Sequence, residues 1–467
     1  MKSFDVAVIG GGLLGCFTAR SLCRYELKTL LIERQEDLCR GISRANSAIV
    51  YPGYDNKPGS LKAQMTVRAN AYFDRLCDEL DVEFIRRGSL LLSYDEVCDR
   101  VLEKKLRQGL ENGVPELCIV SGEKAMELEP KLSALPRTAL YCPGTGTVNP
   151  WQLGIAAYEN ALQNGLDAML GTSVLGIEKS NDSYIIKTEG EEISCRAVIN
   201  CGGLHADKIR EMLFEPELRI YPDASDFLVF DKHAPRPEMI LFEERPRGKA
   251  LTLLPTVEGN LLLESSLREL EGADFAFNAE RRAELVAQAR TITDAVSEDN
   301  IIRSFGAVRP NLRYVKKVGD EYVPIDKDIS SFALDRPEPG FLSLMGIKSP
   351  GLSCANELGL YAARTMAEYL RAGENKAFNP RRRGITRLNK LSRQEREALI
   401  SAEPDYADIV CLCEGISRAE IIESIRRGAR SVEAVKRRVG TGMGRCQGSR
   451  CAYKIERMLE EYRNGEL

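Results

Sequence analysis

A glycine-rich turn near the N-terminus constrains the fold more than any other feature of this chain. The segment Gly10–Gly15 follows a buried strand predicted at 4–9 and opens a helix predicted at 13–24. A second strand is predicted at 29–32 and ends at Glu33. In such a unit the glycines allow a tight turn, close approach of a pyrophosphate and helix–strand packing, while the acidic residue binds ribose hydroxyls. The sequence therefore predicts a dinucleotide-binding α/β fold that disfavours a 2′-phosphate.

Length and composition limit the remaining possibilities. A chain of 467 residues predicts two or three domains, and 43% apolar with 29% charged residues is typical of soluble globular proteins. The net charge of −4 gives no reason to expect a nucleic-acid partner. No apolar run reaches the roughly 18–20 residues that cross a bilayer, and the first residues enter a strand without a basic segment. We therefore expect a cytoplasmic protein that reaches a membrane only through a partner.

Two later segments favour FAD over NAD as the dinucleotide. Three short alternating runs (168–174, 183–188 and 193–199) predict an antiparallel meander, and the last of them continues into Gly202 and Gly203. This order is typical of flavoproteins whose FAD domain is interrupted. The segment 346–353 precedes a helix predicted from Cys354, whose N-terminus would stabilise an anionic reduced flavin. Ser353 is the predicted N-cap of that helix.

The cysteines fall into two groups. Single cysteines scattered through predicted helices and strands suit a reducing compartment, and they are Cys16, Cys23, Cys39, Cys77, Cys98, Cys118, Cys142, Cys195, Cys201 and Cys354. The other four form two close pairs, Cys411 with Cys413 and Cys446 with Cys451. Four thiolates so arranged hold either zinc or a 2Fe–2S cluster. Zinc ribbons usually place two residues between paired cysteines, whereas the gaps here are one and four. Nearby glycines and arginines suit the sulfides and charge of a cluster, and they are Gly440, Gly442, Gly444, Gly448, Arg445 and Arg450.

Several segments carry a family resemblance: Ser43–Val50, Pro52–Asp55, Lys57–Ala63, Arg87–Leu90 and Ser349–Leu352. With the cysteine pairs, they make the chain similar to the FAD-dependent glycerol-3-phosphate dehydrogenase family of D-amino-acid oxidase-like flavoproteins. The similarity is closest to the anaerobic, iron–sulfur-bearing large subunits and more distant to 2-hydroxyglutarate dehydrogenases. The C-terminal module resembles bacterioferritin-associated ferredoxins, which favours a 2Fe–2S cluster.

The resemblance implies the fold and the cofactor contacts. The expected fold is a glutathione-reductase-type, Rossmann-like FAD domain with an antiparallel-sheet α+β substrate domain and a small helical 2Fe–2S domain. The predicted boundaries are 1–75, 140–204 and 335–372 for FAD, 76–139 and 205–334 for substrate, 373–408 for a linker and 409–467 for the cluster. The expected FAD contacts are Gly10, Gly12, Leu13, Leu14, Gly15, Glu33, Arg34, Ser43, Asn46, Ser47, Val174, Gly202, Gly203, Gly346, Gly351, Leu352 and Ser353.

A base is needed when an alcohol gives a hydride to FAD, and the sequence leaves this base open. The family usually has histidine where this chain has Tyr51. The two histidines, His205 and His233, are expected to be surface or packing residues. Tyr51, Tyr54 and Lys62 are the candidates that remain, although a tyrosine pKa near 10 has to be lowered considerably.

A small anionic substrate is expected because Arg309 matches the arginine that grips phosphate or carboxylate in related flavoenzymes. Its guanidinium fork suits both groups. Lys348 adds a positive charge near the expected flavin position, and both Lys348 and Arg313 are equally well explained as solvated charges.

Three functions follow from these residues. The first is oxidation of glycerol-3-phosphate or a similar 2-hydroxy compound. Electrons would then pass through the cluster to a second flavoprotein, another acceptor subunit or a quinone. The second is an amino-acid or opine-type dehydrogenase, since a neutral amine needs no base to assist hydride loss. The third is an electron-transfer subunit without its own substrate, which the well-developed region 205–333 disfavours.

Overall fold

The computed structural model describes residues 1–245, 251–265, 277, 280–325, 329 and 331–467. The chain forms two compact units, Met1–Pro380 and Arg381–Leu467. Among the described residues, no helix combines the length and apolar character needed to cross a membrane.

The helices of the first unit are α1 (Leu13–Leu22), α2 (Leu61–Leu80), α3 (Glu96–Glu111), α4 (Gly122–Leu128), α5 (Pro150–Gln163), α6 (Ala206–Arg210), α7 (Arg281–Arg290) and α8 (Gly351–Leu370). Its strands are β1 (Lys2–Ile9), β2 (Thr29–Glu33), β3 (Ile49–Val50), β4 (Phe84–Arg86), β5 (Ser89–Ser93), β6 (Cys118–Ser121), β7 (Thr138–Cys142), β8 (Gly146–Val148), β9 (Asp167–Leu170), β10 (Val174–Ser180), β11 (Ser183–Thr188), β12 (Glu192–Asn200), β13 (Leu218–Phe230), β14 (Ile240–Glu243), β15 (Leu251–Pro255), β16 (Leu261–Ser265), β17 (Ile301–Val318), β18 (Glu321–Pro324), β19 (Ala333–Glu338) and β20 (Phe341–Met345).

The first sheet has the strand order β10–β11–β12–β1–β2–β9, with β20 bonded to β12 and β19 bonded to β20. The pairs β12–β1, β1–β2, β2–β9 and β12–β20 are parallel. Val6 and Val8 of β1 are fully buried in a core shared with α1, α5 and α8. In an open α/β sheet of this kind, ligands bind beyond the carboxyl ends of the parallel strands.

The second sheet has the order β18–β17–β13–β16–β15–β14–β5–β7–β6, and its pairs are antiparallel apart from β14–β5. The apolar residues of this sheet share a core with α4 and α7. Its strands come from 89–142 and 218–324, and both segments lie between stretches that build the first sheet. A smaller sheet, β3–β8–β4, completes the unit.

The meander predicted from 168–174 begins one strand later than expected. Residues 167–170 form β9, which pairs in parallel with β2, and the antiparallel ladder runs β10–β11–β12. The reason lies at the break between β9 and β10, where the N–H groups of Gly171 and Thr172 still donate to carbonyls beside β2. The prediction of one run over 168–174 was therefore wrong.

Two helix boundaries also differ from the sequence predictions. Helix α8 begins at Gly351 rather than Cys354, because the Cys354 N–H already donates to the Pro350 carbonyl at 3.0 Å. Ser353 thus lies inside the first turn and is not the N-cap. The helix predicted near 279–296 is α7, which ends at Arg290, and residue 279 lies outside the described residues.

The second unit contains helices α9 (Arg393–Ala402), α10 (Arg418–Arg426), α11 (Val432–Val439) and α12 (Ala452–Arg463), with a short hairpin of β21 (Ile409–Cys411) and β22 (Ile416–Ser417). Helix α9 lies within the predicted linker 373–408, and a capping box of Ser392 and Glu395 stabilises its start. The domain boundaries given above remain predictions.

Candidate active site

A cavity of about 490 Å³ lies in the first unit and is lined by both large sheets. The first sheet contributes the ends of β1, β2 and β12 and the loop from β20 to α8. The second sheet contributes residues of β13, β16 and β17. This volume is in the range of ordinary small-molecule sites, and its position agrees with ligand binding beyond parallel strands.

The glycine turn forms one wall of this cavity. Gly10 follows β1 with φ +109°, and Gly12 occupies the N-cap position of α1 without a side-chain cap. The Leu13 N–H donates to Ser43 Oγ at 2.9 Å, which ties the turn to the loop before β3. Gly15 lies behind the turn, where a Cβ would overlap the Gly10 carbonyl oxygen. The N-terminus of α1 therefore faces the cavity with its amide groups and the positive end of its dipole.

Glu33 lines the cavity, and backbone groups orient its carboxylate. Oε2 accepts from the Gly11 N–H at 2.5 Å and Oε1 accepts from the Gln35 N–H at 2.8 Å. A carboxylate oxygen has two acceptor positions, so each oxygen can still accept from a ribose hydroxyl. Arg34 lies beside it on the same wall.

His205 lines the cavity near Arg34 and is exposed, in agreement with the prediction of a surface residue. Burial lowers the pKa of His205, and the positive charge of Arg34 lowers that pKa further. His233 is also exposed, in a turn, but does not line the cavity. The sequence feature that indicates His205 as a cavity residue is its position two residues after Gly203, beyond the end of a strand of the first sheet.

Asn46 shapes the loop that joins the glycine turn to β3. Its Oδ1 accepts from the Ala48 N–H at 2.8 Å and its Nδ2 donates to the Ser43 carbonyl at 3.2 Å. These bonds hold Ala48 at φ +59°, a conformation that is uncommon for alanine. The loop is thereby fixed with Ser43 and Ser47 on the cavity wall.

Most of the expected FAD contacts line the cavity: Gly10, Gly12, Leu13, Leu14, Glu33, Arg34, Ser43, Asn46, Ser47, Val174, Gly202, Gly203, Gly351 and Leu352. Gly15, Gly346 and Ser353 do not. Gly346 packs against Leu312 instead. Ser353 Oγ accepts from the Tyr51 N–H at 2.9 Å, so it joins α8 to the chain after β3.

A second group of cavity residues comes from the other sheet and carries charge. Arg309 lies on β17, with its Nε 3.7 Å from Asp223 Oδ1. The two side chains are 32% and 20% exposed. Lys348 is buried and its Nζ donates to Asn311 Oδ1 at 2.8 Å. Arg313, also on β17, lies outside the cavity lining and covers the Tyr221 ring at 5.3 Å.

Tyr51 also lines the cavity, but its environment opposes ionisation. Burial raises the pKa of the Tyr51 hydroxyl and the negative charge of Glu264 raises it further, whereas Ser47 and Arg309 act in the other direction. The net shift is upward, so the hydroxyl stays protonated at neutral pH and is a hydrogen-bond donor.

Two candidate bases lie away from the cavity. Tyr54 is buried in a core cluster with Leu102 and Leu117, and burial raises the pKa of its hydroxyl. Lys62 places its ammonium group 5.5 Å from the centre of the Phe332 ring. Neither is brought together with Arg309, because α2 and the turn before it point these side chains into other contacts.

The sequence did not predict Glu264 as a site residue, but its side chain lies on the cavity wall. It is the fourth residue of β16, after three leucines, and pairs in register with Phe227 of β13 and Thr252 of β15. The sequence feature that could have identified it is a carboxylate within an otherwise apolar strand, because even partial burial of a carboxylate is costly without a role.

The four C-terminal cysteines come together in pairs in the second unit. Cys413 hydrogen-bonds to Cys446, and Cys411 to Cys451. Cys411 and Cys451 are buried, whereas Cys413 and Cys446 are partly exposed. No three His, Cys, Asp or Glu side chains in the described part of the chain converge as ligands for a single metal ion. Pairwise contacts suit a cluster in which each of two iron atoms takes two thiolates.

The backbone around these cysteines packs closely and directs N–H groups towards a thiol. A Cβ at Gly444 would lie 2.6 Å from the Cys413 Cβ, so only glycine fits there. Burial acts to raise the pKa of the Cys446 thiol, but N–H groups of Gly448 and Arg450 and the Cys413 thiol outweigh it and lower that pKa. Burial, with the nearby Cys411, raises the pKa of Cys451 to about 12. The N–H groups of Gly448 and Arg450 thus favour the thiolate form of Cys446, which is the form that ligates metal.

The fold and the cavity define a flavin-dependent oxidoreductase. Residues 5–365 match the family model described as FAD dependent oxidoreductase, and residues 409–461 match the BFD-like [2Fe-2S] binding domain. The chain therefore belongs to the FAD dependent oxidoreductase family and binds FAD and a 2Fe–2S cluster. The expected cofactors and fold class are confirmed, and the cysteine module is of the iron–sulfur type rather than a zinc site.

Individual relatives agree with this family. Glycerol 3-phosphate dehydrogenase of Caloramator mitchellensis is 37% identical over 98% of this chain and 94% of its own length. Glycerol 3-phosphate oxidase of Mycoplasma pneumoniae is 25% identical over 78% of this chain and 95% of its own. The solved structure of dithionite-reduced L-α-glycerophosphate oxidase from Mycoplasma pneumoniae with FAD bound matches with a TM-score of 0.71. It covers 82% of this chain and 99% of that one, at 21% identity.

Proposed function

We propose that this protein oxidises glycerol-3-phosphate, or a similar small anionic 2-hydroxy compound, and passes the electrons through its cluster to a separate acceptor, either a partner subunit or a quinone. The observation that carries the proposal is the position of Arg309 and Lys348 on the same cavity as the glycine turn. One cavity thus combines a dinucleotide wall with cationic groups for a substrate anion. The similarity to glycerol 3-phosphate dehydrogenase of Caloramator mitchellensis supports the same substrate.

Each group in this cavity has a separate role in the proposed reaction. Bound FAD supplies the hydride acceptor, and the 2Fe–2S cluster supplies a one-electron carrier. Arg309 binds the phosphate or carboxylate through its planar fork. Lys348, held by Asn311, adds positive charge beside the first turn of α8. The Tyr51 hydroxyl donates a hydrogen bond to substrate oxygen and orients it.

Anaerobic reduction with a panel of compounds tests the proposal. The purified protein is mixed without oxygen with glycerol-3-phosphate, 2-hydroxyglutarate, an amino acid or an imino acid, and the flavin absorbance is followed. We expect glycerol-3-phosphate to bleach the flavin bands most rapidly. Bleaching by only the amino or imino acid would identify an amine dehydrogenase instead. A flavin that no compound reduces would identify an electron-transfer subunit and contradict the proposal.

Arg309→Ala should weaken substrate binding without removing FAD. Loss of charge-assisted hydrogen bonds to an anion costs about 2–3 kcal/mol, or roughly 30- to 150-fold in the apparent substrate constant. The measurement is the substrate dependence of anaerobic flavin reduction, with the FAD content determined on the same samples. Arg313→Ala is the matched control, since Arg313 lies on the same strand but outside the cavity lining. Loss of FAD in Arg309→Ala would contradict the assigned role.

A further inference from the structure

None of the candidate bases considered from the sequence is suited to accept the proton of the substrate hydroxyl. Tyr51 keeps its proton because burial raises its pKa, and Tyr54 and Lys62 do not line the cavity. His205 lies with Arg34 on the dinucleotide wall. Lys348 donates to Asn311 and is an ammonium group, which carries no free lone pair. An alcohol that loses a hydride must still lose its hydroxyl proton.

The described residues that line the cavity include two carboxylates, Glu33 and Glu264. Glu33 belongs to the dinucleotide wall, where it accepts from the Gly11 and Gln35 amides. Glu264 belongs to the second sheet and raises the pKa of Tyr51, so its charge acts on the same part of the cavity as Tyr51. Arg309 acts on Tyr51 as well. Tyr51 thus lies within the electrostatic reach of both charges.

The register of the second sheet sets the spacing between these charges. Glu264 lies opposite Phe227, and Arg309 lies opposite Asp223 on the same strand, β13. Phe227 and Asp223 are four positions apart, which is about 13 Å along an antiparallel strand. Both side chains line the same cavity, so a small substrate that places its anion at Arg309 has room to extend its reacting carbon towards Glu264.

We infer that Glu264 is the general base of this enzyme and takes the proton of the substrate hydroxyl. The hydrogen of the substrate C–H bond would leave with the bonding electron pair as hydride, for which bound FAD would be the acceptor. The O–H bond breaks as the Glu264 carboxylate takes the proton, and the carbon is oxidised to a carbonyl. The inference rests on the proposed function, because an amine substrate does not require this step.

The test compares Glu264→Gln and Glu264→Asp with the wild-type protein, all carrying FAD. In anaerobic stopped-flow reduction by glycerol-3-phosphate, Glu264→Gln should lower the limiting rate roughly 10²- to 10³-fold, as is usual for loss of a general base. Glu264→Asp keeps a carboxylate and should recover part of the rate. Glu238→Gln is the matched control, since Glu238 is an exposed carboxylate of the same unit.

Two further measurements separate a base from a binding or structural residue. The first measures phosphate binding. Inorganic phosphate, which cannot reduce the flavin, is added in steps and the change in flavin absorbance is followed. The dissociation constant for phosphate should stay within about threefold of the wild-type value in Glu264→Gln, whereas Arg309→Ala should raise it. The second is the pH profile, in which the limiting rate of the wild type falls at acidic pH and that of Glu264→Gln does not. Among the described residues that line the cavity, those with charged or titratable side chains besides Glu264 are Glu33, Arg34, Arg40, Tyr51, Cys201, His205, Lys208, Arg309 and Lys348.

The outcomes distinguish this inference from the proposed function. If another compound in the panel reduces the flavin, the proposed substrate is wrong, and the same variants are then tested with that compound. An unchanged limiting rate in Glu264→Gln overturns the inference whichever compound is used. A raised substrate constant with an unchanged limiting rate would make Glu264 a binding residue and would also overturn it. If no compound reduces the flavin, both fail.

Discussion

Cys446→Ser should yield a yellow protein that has lost its iron and acid-labile sulfide. Cys446 is one of the two partly exposed cysteines of the module and is bonded to Cys413 and to backbone amides. A serine hydroxyl is a poor replacement for a thiolate ligand, so the cluster should be absent after purification. FAD content and anaerobic flavin reduction by substrate should be unchanged, because the FAD cavity lies in the other unit. Turnover with the physiological acceptor should fall to background.

Cys118→Ser provides the control for this experiment. Cys118 is an exposed cysteine of the first unit, so its replacement should leave iron, sulfide and FAD at wild-type levels. Iron and sulfide are measured chemically, and the cluster is followed by its visible absorbance after the flavin spectrum is subtracted. A full complement of iron and sulfide in Cys446→Ser would contradict the assignment of this residue as a ligand.

Gly15→Ala should remove most of the FAD while leaving the iron in place. A Cβ at this position would overlap the Gly10 carbonyl oxygen and lie 3.0 Å from its carbon, and both are backbone atoms that cannot swing aside. The turn must therefore shift away from the pyrophosphate. Overpacking of this kind costs about 1–3 kcal/mol, or roughly 5- to 150-fold in FAD affinity. The measurement is the ratio of bound FAD to iron in the purified protein.

Gly176→Ala is the matched control for Gly15→Ala. Gly176 lies on β10 of the same sheet, and a Cβ there would have no atom within 4 Å. The control variant should therefore bind FAD as the wild type does. A wild-type FAD-to-iron ratio in Gly15→Ala would show that the turn tolerates a methyl group and that the close packing described here is not needed.

The dinucleotide half of the site could be predicted because its chemistry is local in sequence. The glycine turn, its strand and its helix lie within 33 residues, and the backbone itself makes the binding surface. The same holds for the cysteine module, where short spacings determine which ligands are possible. Gly15 illustrates the limit, because it belongs to the motif but supports the turn from behind and does not line the cavity.

The substrate half could be predicted only in part, because it depends on sheet register. Arg309 was found through family resemblance, whereas Glu264 has no motif around it and reaches the cavity only through its pairing with Phe227. Tyr54 and Lys62 lie close to Tyr51 in sequence, yet the turn and helix that follow β3 carry them into other contacts. Ser353 was misplaced because the start of α8 is determined by the Pro350 carbonyl.

The strand order of the first sheet has a consequence for how the protein is made. Strand β1 ends at Ile9, but its neighbour β12 ends at Asn200, and β20, on the far side of β12, ends at Met345. Contacts this distant in sequence form slowly, and the partly built sheet exposes apolar edges meanwhile. A nascent chain that stops before residue 341 would lack β20 and the loop to α8, so flavin capture must await nearly the entire first unit.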